Sequence, residues 1–212
     1  MASSGASTRA DHPCPTVTAT AAEVSQSSYV TVPPTAVDQL VFELVTSALY
    51  HRSRVSWFAG LHRVTMFINI LAGTGAVAFI IGKDPLWSVV MSLLLAFMSS
   101  ANLAFDFSGQ ARKHEEARHI YHDIAADLEE SRGDEKAIKR LRARMIRAAA
   151  KEPIMFEAAE KVAFNAAIRS LNRDPAEEWV LGRRHRALRH IRPYSGTVFK
   201  QRKDIPERAR AA

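Results

Sequence analysis

Cysteine is nearly absent: among 212 residues only Cys14 carries a thiol, which excludes an intramolecular disulfide scaffold of the secreted kind. Charge is missing from one long stretch. Between Val64 and Phe105 only Lys83 and Asp84 are charged, although the chain holds 29 basic and 22 acidic residues. The ordinary averages, 47% apolar and 24% charged, therefore conceal a strict segregation. Acidic residues are scarce at the C-terminal end, where residues 183–212 carry 10 basic and 2 acidic side chains against 19 and 20 in residues 1–182. The net charge of +7 thus belongs to a terminal stretch. No basic residue leads directly into an apolar run near Met1, which argues against a secretory signal.

Residues 1–34 are mostly Ser, Thr, Ala and Pro without a periodic apolar face. Such a segment buries too little surface to offset its ordering entropy and is expected to be a disordered arm. His12 and Cys14 lie within it. Thr35 and Asp38 then have the spacing of a helix start. Val37, Leu40, Val41, Leu44, Val45, Ala48 and Leu49 follow at helical intervals, predicting an amphipathic lead helix over 35–63.

The uncharged zone, 64–105, divides into two spans, 64–81 and 85–105. At 1.5 Å per residue they reach roughly 27 and 31 Å, close to a hydrocarbon core of about 30 Å. Each has nine residues drawn from Leu, Ile, Val and Phe, contributing roughly −4 kcal/mol to insertion before polar residues are counted. Gly82 as a helix stop and Pro85 as a first helical residue make the connection short, which forces an antiparallel hairpin. Arg52, Arg54 and Arg63 flank the first span, and Arg112, Lys113 and Arg118 follow the second. Lys83 stands alone between them, so the positive-inside bias places both termini in the cytoplasm. Beyond Asp106, region 106–182 reads as cytoplasmic helices. Ala117, Ile120, Ile124 and Leu128 form one stripe, and Ile138, Leu141, Met145 and Ala149 a second. A third helix covers IMFEAAEKVAFNAAIRSLN, and Asp174-Pro175 opens a fourth that leads into a basic tail, 183–212. The expected fold is all-α: a membrane protein whose two-helix transmembrane hairpin is flanked by cytoplasmic helices.

Motifs for chemistry are few. Gly73-Thr74-Gly75 and Gly82-Lys83 do not make a phosphate loop, because six residues separate Gly75 from Gly82 and Asp84 replaces the required hydroxyl. Glu116-x-x-His119 is half of a diiron pattern whose second half the chain lacks. Glu115, His119 and His122 share its helical face, which reads as a solvated polar surface. No catalytic, cofactor or metal residues are assigned, and the chain is not expected to be an enzyme.

The informative pattern is a stripe of small side chains every four residues in the second span, Ser88, Ser92, Ala96, Ser100 and Ala104. In lipid such a stripe favours close helix contact. It has two readings: packing on Ala72, Gly75 and Ala76 within the hairpin, or meeting another protomer and lining a polar conduit. Asn69 and Asn102 lie at similar depths and each needs a partner. Together these residues are the candidate oligomer or pore seam. The spans contain no ionisable side chain, which argues against a proton-coupled transporter or voltage sensor. In the tail, Arg183, Arg184, Arg186, Arg189, Arg192, Lys200, Arg202 and Lys203 are candidates for contact with anionic lipid. A merely solubilising tail and nucleic-acid binding are the competing readings, and beside the inner leaflet the tail meets phospholipid before nucleic acid.

The stretch from Tyr50 through Glu130 resembles the SLATT family of bacterial two-helix membrane proteins. The shared features are the Arg- and His-bearing lead helix, the short Pro-containing turn, and Phe105-Asp106-Phe107-Ser108 opening a basic-then-acidic helix. EPIMFEAAEKVAFNAAIRSLN, with Glu152-Pro153 and Phe164-Asn165, is similar to that family's downstream region. The resemblance implies a homo-oligomeric pore-forming effector of the bacterial inner membrane, acting in a conflict system by membrane damage or cell suicide. It also implies a separate nucleotide-sensing or nucleotide-synthesising partner, since none is fused within these 212 residues. Two other readings stand beside it: a holin-like phage lysis protein, and a non-conducting scaffold that recruits a cytoplasmic partner.

Overall fold

The computed structural model describes residues 35–131, 134–152 and 154–205. The arm expected over 1–34, with His12 and Cys14, lies outside these residues, as does the end of the basic stretch. The described chain is mostly helical, and two of its helices are long and apolar enough to cross a membrane.

Helix α1 spans Ala36–Ile81, so the expected lead helix and first span form one 46-residue rod. Its start is the anticipated capping box: Asp38 N–H donates to Thr35 Oγ1 at 3.1 Å, and Thr35 N–H donates to Asp38 at 3.0 Å. Nothing interrupts it at Arg63, because no proline falls inside and Gly60, Gly73 and Gly75 weaken it by only about 1 kcal/mol each relative to alanine. Gly82 caps its end, and Pro85 opens α2 (Pro85–Phe105). The left-handed residue of the turn is Lys83, not the glycine.

Asp106 takes φ 40° between α2 and α3 (Phe107–Glu130). Its carboxylate accepts from Gly109 N–H at 3.0 Å, capping α3 as α2 ends. A Cβ on Gly109 would stand 1.8 Å from Asp106 Oδ2, so the cap requires glycine there. The Phe-Asp-Phe-Ser sequence is thus a break with a built-in restart.

Helices α4 (Glu135–Ala149) and α5 (Glu157–Ser170) pack beside the first half of α1. On one side of α1, Leu40, Leu44 and Ala48 meet Tyr121, Ile124 and Leu128 of α3 and Leu141 of α4. On another, Phe42 meets Ala167 and Ile168 of α5. The expected α3 stripe holds at Ile124 and Leu128, but the turn before them buries Tyr121 in place of Ile120, which is 38% exposed. The aromatic ring reaches the core from a position whose neighbour does not face it.

The helix expected from Asp174 shrinks to a 3-10 turn, Pro175–Glu177. Asn165 provides the reason. Its amide donates to Trp179 C=O at 2.7 Å and accepts from Trp179 N–H at 2.8 Å, taking the groups a continuing helix would need. Trp179–Val180 (β1) instead pairs antiparallel with Lys200–Gln201 (β2), a two-residue ladder in an otherwise helical fold. Between the strands lies α6 (Arg183–Ala187). Residues 183–205, read from the sequence as tail, are therefore folded against the helices.

Candidate functional site

The two apolar spans run back along one another, with Phe79 stacking on Trp87 and Gly75 lying against Met91. Thr65, Ala72 and Ala76 are the buried positions of α1 here. The α2 face that meets them is formed by half-buried Ser88, Met91, Leu95, Met98 and Asn102. Apart from Ser88, the small-residue stripe is elsewhere: Ser92, Ala96, Ser100 and Ala104 are all exposed. Packing on Ala72, Gly75 and Ala76 is thus corrected. Those small positions receive Met91 and its neighbours, since a long side chain laid into a glycine notch makes more contact than two small ones.

No residue of α2 is buried by the described chain. Leu103 is 84% exposed, and Leu93 and Phe97 are about as uncovered as free side chains in a helix. A core helix of a soluble bundle would be enclosed. Three hydroxyls of this zone bond back within their own helices: Thr65 donates to Leu61 C=O at 2.9 Å, Thr74 to Ile70 C=O at 2.8 Å and Ser92 to Ser88 C=O at 2.9 Å. Such back-bonding is what a solvent without hydrogen-bonding groups demands. Asn102 Oδ1 lies 3.5 Å from His62 Nδ1, and Asn69 Oδ1 is buried without a hydrogen-bond partner among the described residues. The two amides do not meet each other.

Before the first span begins, α1 and α3 are joined by a buried polar cluster. His51 and His114 are 1% and 3% exposed, their Nδ1 atoms 3.0 Å apart. His51 Nε2 sits 3.0 Å from Glu152 Oε1, within ion-pair distance though poorly aligned for a hydrogen bond. Tyr121 donates its hydroxyl to the same carboxylate. With a carboxylate facing Nε2, we assign the His51 proton to that nitrogen, leaving Nδ1 to accept from His114 Nδ1–H. His114 is thereby a neutral donor, and burial, aided by His51 and Arg54, pushes its pKa down to about 4. Burial and the shared carboxylate raise the Tyr121 hydroxyl. The cluster is closed and dry, suited to fixing one arrangement of helices.

Arg54, one turn farther along α1, is buried as well. It donates to His190 C=O at 2.9 Å and lies 4.7 Å from the Phe58 ring and 4.1 Å from that of Phe156. One charge counted for membrane orientation is therefore a fastening for the C-terminal segment. Trp57 stacks on His190 at 5.2 Å. Burial, with Arg189 and Arg54 nearby, lowers His190 to about 4. Glu178 completes the fastening, bonded to Arg169 at 2.6 Å and Arg202 at 3.1 Å. Those hydrogen bonds, above all that from Arg169, hold its carboxyl below the usual range.

The cluster went unread in the sequence, yet a signal exists. The buried series Leu44, Ala48 on α1 continues to His51, and Leu128, Ile124, Tyr121 on α3 continues back to His114. A histidine on the prolongation of each core stripe marks a polar contact between them. Of the basic candidates, Arg183, Arg184, Arg186 and Arg192 are exposed, Lys200 and Arg202 belong to the strand and turn, Lys203 is exposed, and Arg189 is half-buried. His119 and His122 are exposed, His119 standing 3.4 Å from Glu115. Among the described residues no three potential ligands converge on a metal-sized space. No family model matches the chain, and no curated protein or solved structure is significantly similar to it.

Proposed function

We propose that this protein is a membrane effector whose two spans insert in the bacterial inner membrane, both termini cytoplasmic, and oligomerise into a pore that damages the membrane. The carrying observation is the condition of α2: a 21-residue helix without a charged residue, none of it buried, with Ser92, Ala96, Ser100 and Ala104 left open. Lipid covers the large side chains, and close approach of a second copy covers the small ones. Two helices cannot enclose a water-filled lumen, so conduction requires several copies. The expected resemblance to SLATT proteins is consistent with this reading and supplies its biological setting, a conflict system with a separate nucleotide-dependent partner.

The test is release of an encapsulated dye from vesicles of bacterial polar lipids reconstituted with the full chain. Depolarisation of cells overexpressing it is measured in parallel. Asn102→Leu combined with Ser100→Ala should keep membrane fractionation but reduce both signals, because a wholly apolar constriction dewets. Equal leakage from parent and double variant would remove these residues from the lumen. The second reading, a non-conducting scaffold, is favoured by the lack of an ionisable side chain within either span. Assembly without leakage, with the partner supplied, would establish it.

A further inference from the structure

Between α1 and the folded-back C-terminal segment lies a groove of about 560 Å³. One wall is an α1 face, Ser53, Ser56, Trp57, Gly60 and Leu61, ending at Val64, the first residue of the apolar span. The other wall carries Arg186, Arg189 and His190. No acidic side chain lines it. We propose that this groove seats the headgroup phosphate of an anionic phospholipid, with the acyl chains leaving past Val64.

Three features select that ligand. The first is depth. Gly60 is four residues before Val64, roughly 6 Å along the helix, which matches the headgroup layer of about 5–8 Å beyond the hydrocarbon. Trp57 occupies the interfacial position that indole favours. The second is unspent charge. Arg186 forms no ion pair within the described residues, and the acid whose field it shares, Glu178, is already held by Arg169 and Arg202. Arg189 directs Nε to His190 Nε2 at 3.0 Å and Nη1 to Arg186 C=O at 3.1 Å, and no carboxylate meets it. Since His190 Nε2 accepts, the proton of that neutral ring belongs on Nδ1, a donor that has no partner. That nitrogen is buried, so what the wall presents to an anion is the positive charge of Arg186 and Arg189. The third is space. Nothing lies within 4 Å of where a Gly60 Cβ would stand, so the wall is hollow at the phosphate's depth.

The proposal rests on membrane insertion of the spans, and the experiment separates the two. Full-length protein in mild detergent is offered phosphatidylglycerol or phosphatidylcholine, and bound lipid is counted by native mass spectrometry. Phosphatidylglycerol should be preferred, by about fivefold for each engaged arginine. Arg186→Gln should lower that preference about fivefold. Gly60→Leu, which fills the hollow and strengthens the helix, should abolish it. Arg183→Gln with Arg184→Gln, outside the groove, should change it little. Loss of preference in that control equal to the Arg186→Gln effect would show diffuse attraction and overturn the site, as would unaltered binding in Gly60→Leu. Displacement of lipid by millimolar glycerol 3-phosphate would reassign the groove to a soluble phosphate ester. A parent that fractionates with membranes yet shows no lipid preference refutes this proposal alone, whereas failure to fractionate refutes insertion.

Discussion

Acidification should destabilise the helical region outside the two spans through two buried histidines. His114 and His190 have pKa values of about 4 in the fold and an ordinary value of 6.5 when exposed. Between those limits the unfolded chain binds more protons, so stability is complete above about pH 6.5 and falls as pH drops toward 4. Each histidine removes about 2 kcal/mol by about pH 5 and about 3 kcal/mol by about pH 4. Arg54 lies near both rings, so the two losses need not add fully. The assay is denaturant unfolding in detergent micelles, followed by tryptophan fluorescence from about pH 7.5 to about pH 5. His114→Phe isolates one contribution. Phenylalanine preserves the stacking on Phe58 but leaves His51 Nδ1 without its donor, costing about 1–3 kcal/mol at neutral pH. The variant should therefore start less stable and lose less on acidification. A parent whose stability is flat over this range, or a variant with the parent's full pH slope, would refute the assigned proton arrangement.

Other consequences are equally direct. Gly109→Ala drives its Cβ into Asp106 and should cost about 1–2 kcal/mol as the α3 cap is lost, whereas Asp106→Asn, able to adopt the same backbone, should retain most stability in the same unfolding assay. Ile124→Ala should cost about 2–5 kcal/mol and exposed Ile120→Ala less than about 1 kcal/mol; equal losses would contradict the register of α3. Ala96→Leu should reduce crosslinked oligomers more than Leu94→Ala, because an isobutyl group at a close crossing separates the backbones. Cys14, the only thiol, should resist an impermeant maleimide in intact spheroplasts and react after lysis; labelling before lysis would reverse the membrane orientation.

The parts of the fold legible in the sequence were those governed by local chemistry. Thr35 and Asp38 cap α1 as their spacing implies, and Gly82 with Pro85 brackets the turn. Leu40, Leu44 and Ala48 are buried because a 3.6-residue period leaves little freedom over which face turns inward. The failures occurred where a tertiary partner decides. Asp174 and Pro175 are sound helix openers, but from outside that segment Asn165 captures the Trp179 backbone and Arg169 donates to the Glu178 carboxylate. The small-residue stripe was recognised while its partner was not, since spacing shows a notch and not what fills it. His51 and His114 are 63 positions apart, and nothing local relates them. Two sequence features quoted for the family resemblance nevertheless acquire physical tasks. Glu152 receives His51 and Tyr121, and Asn165 ends the α5 region by seizing Trp179.

Helix continuity turns these separate observations into one mechanical arrangement. The first span is the second half of the rod that carries His51, and the second span passes through the Asp106 break into the helix that carries His114. From His51 to Val64 is roughly 20 Å of uninterrupted helix, and from Phe105 to His114 roughly 14 Å with one capped break. The 3.0 Å contact between the histidines therefore ties the helical extensions of both spans at a single buried point, with Glu152 holding that point from the α4–α5 linker. Separating α3 from α1 there requires breaking the histidine pair and exposing Tyr121 and Ile124, whose burial stabilises by about 1.5–3 kcal/mol each. Contact between the spans adds to that tie, Met91 lying against Gly75 and Trp87 on Phe79, although no residue of α2 is fully buried. The buried cluster thus acts with the contact between the spans to set their spacing, and opening it acts on both spans together.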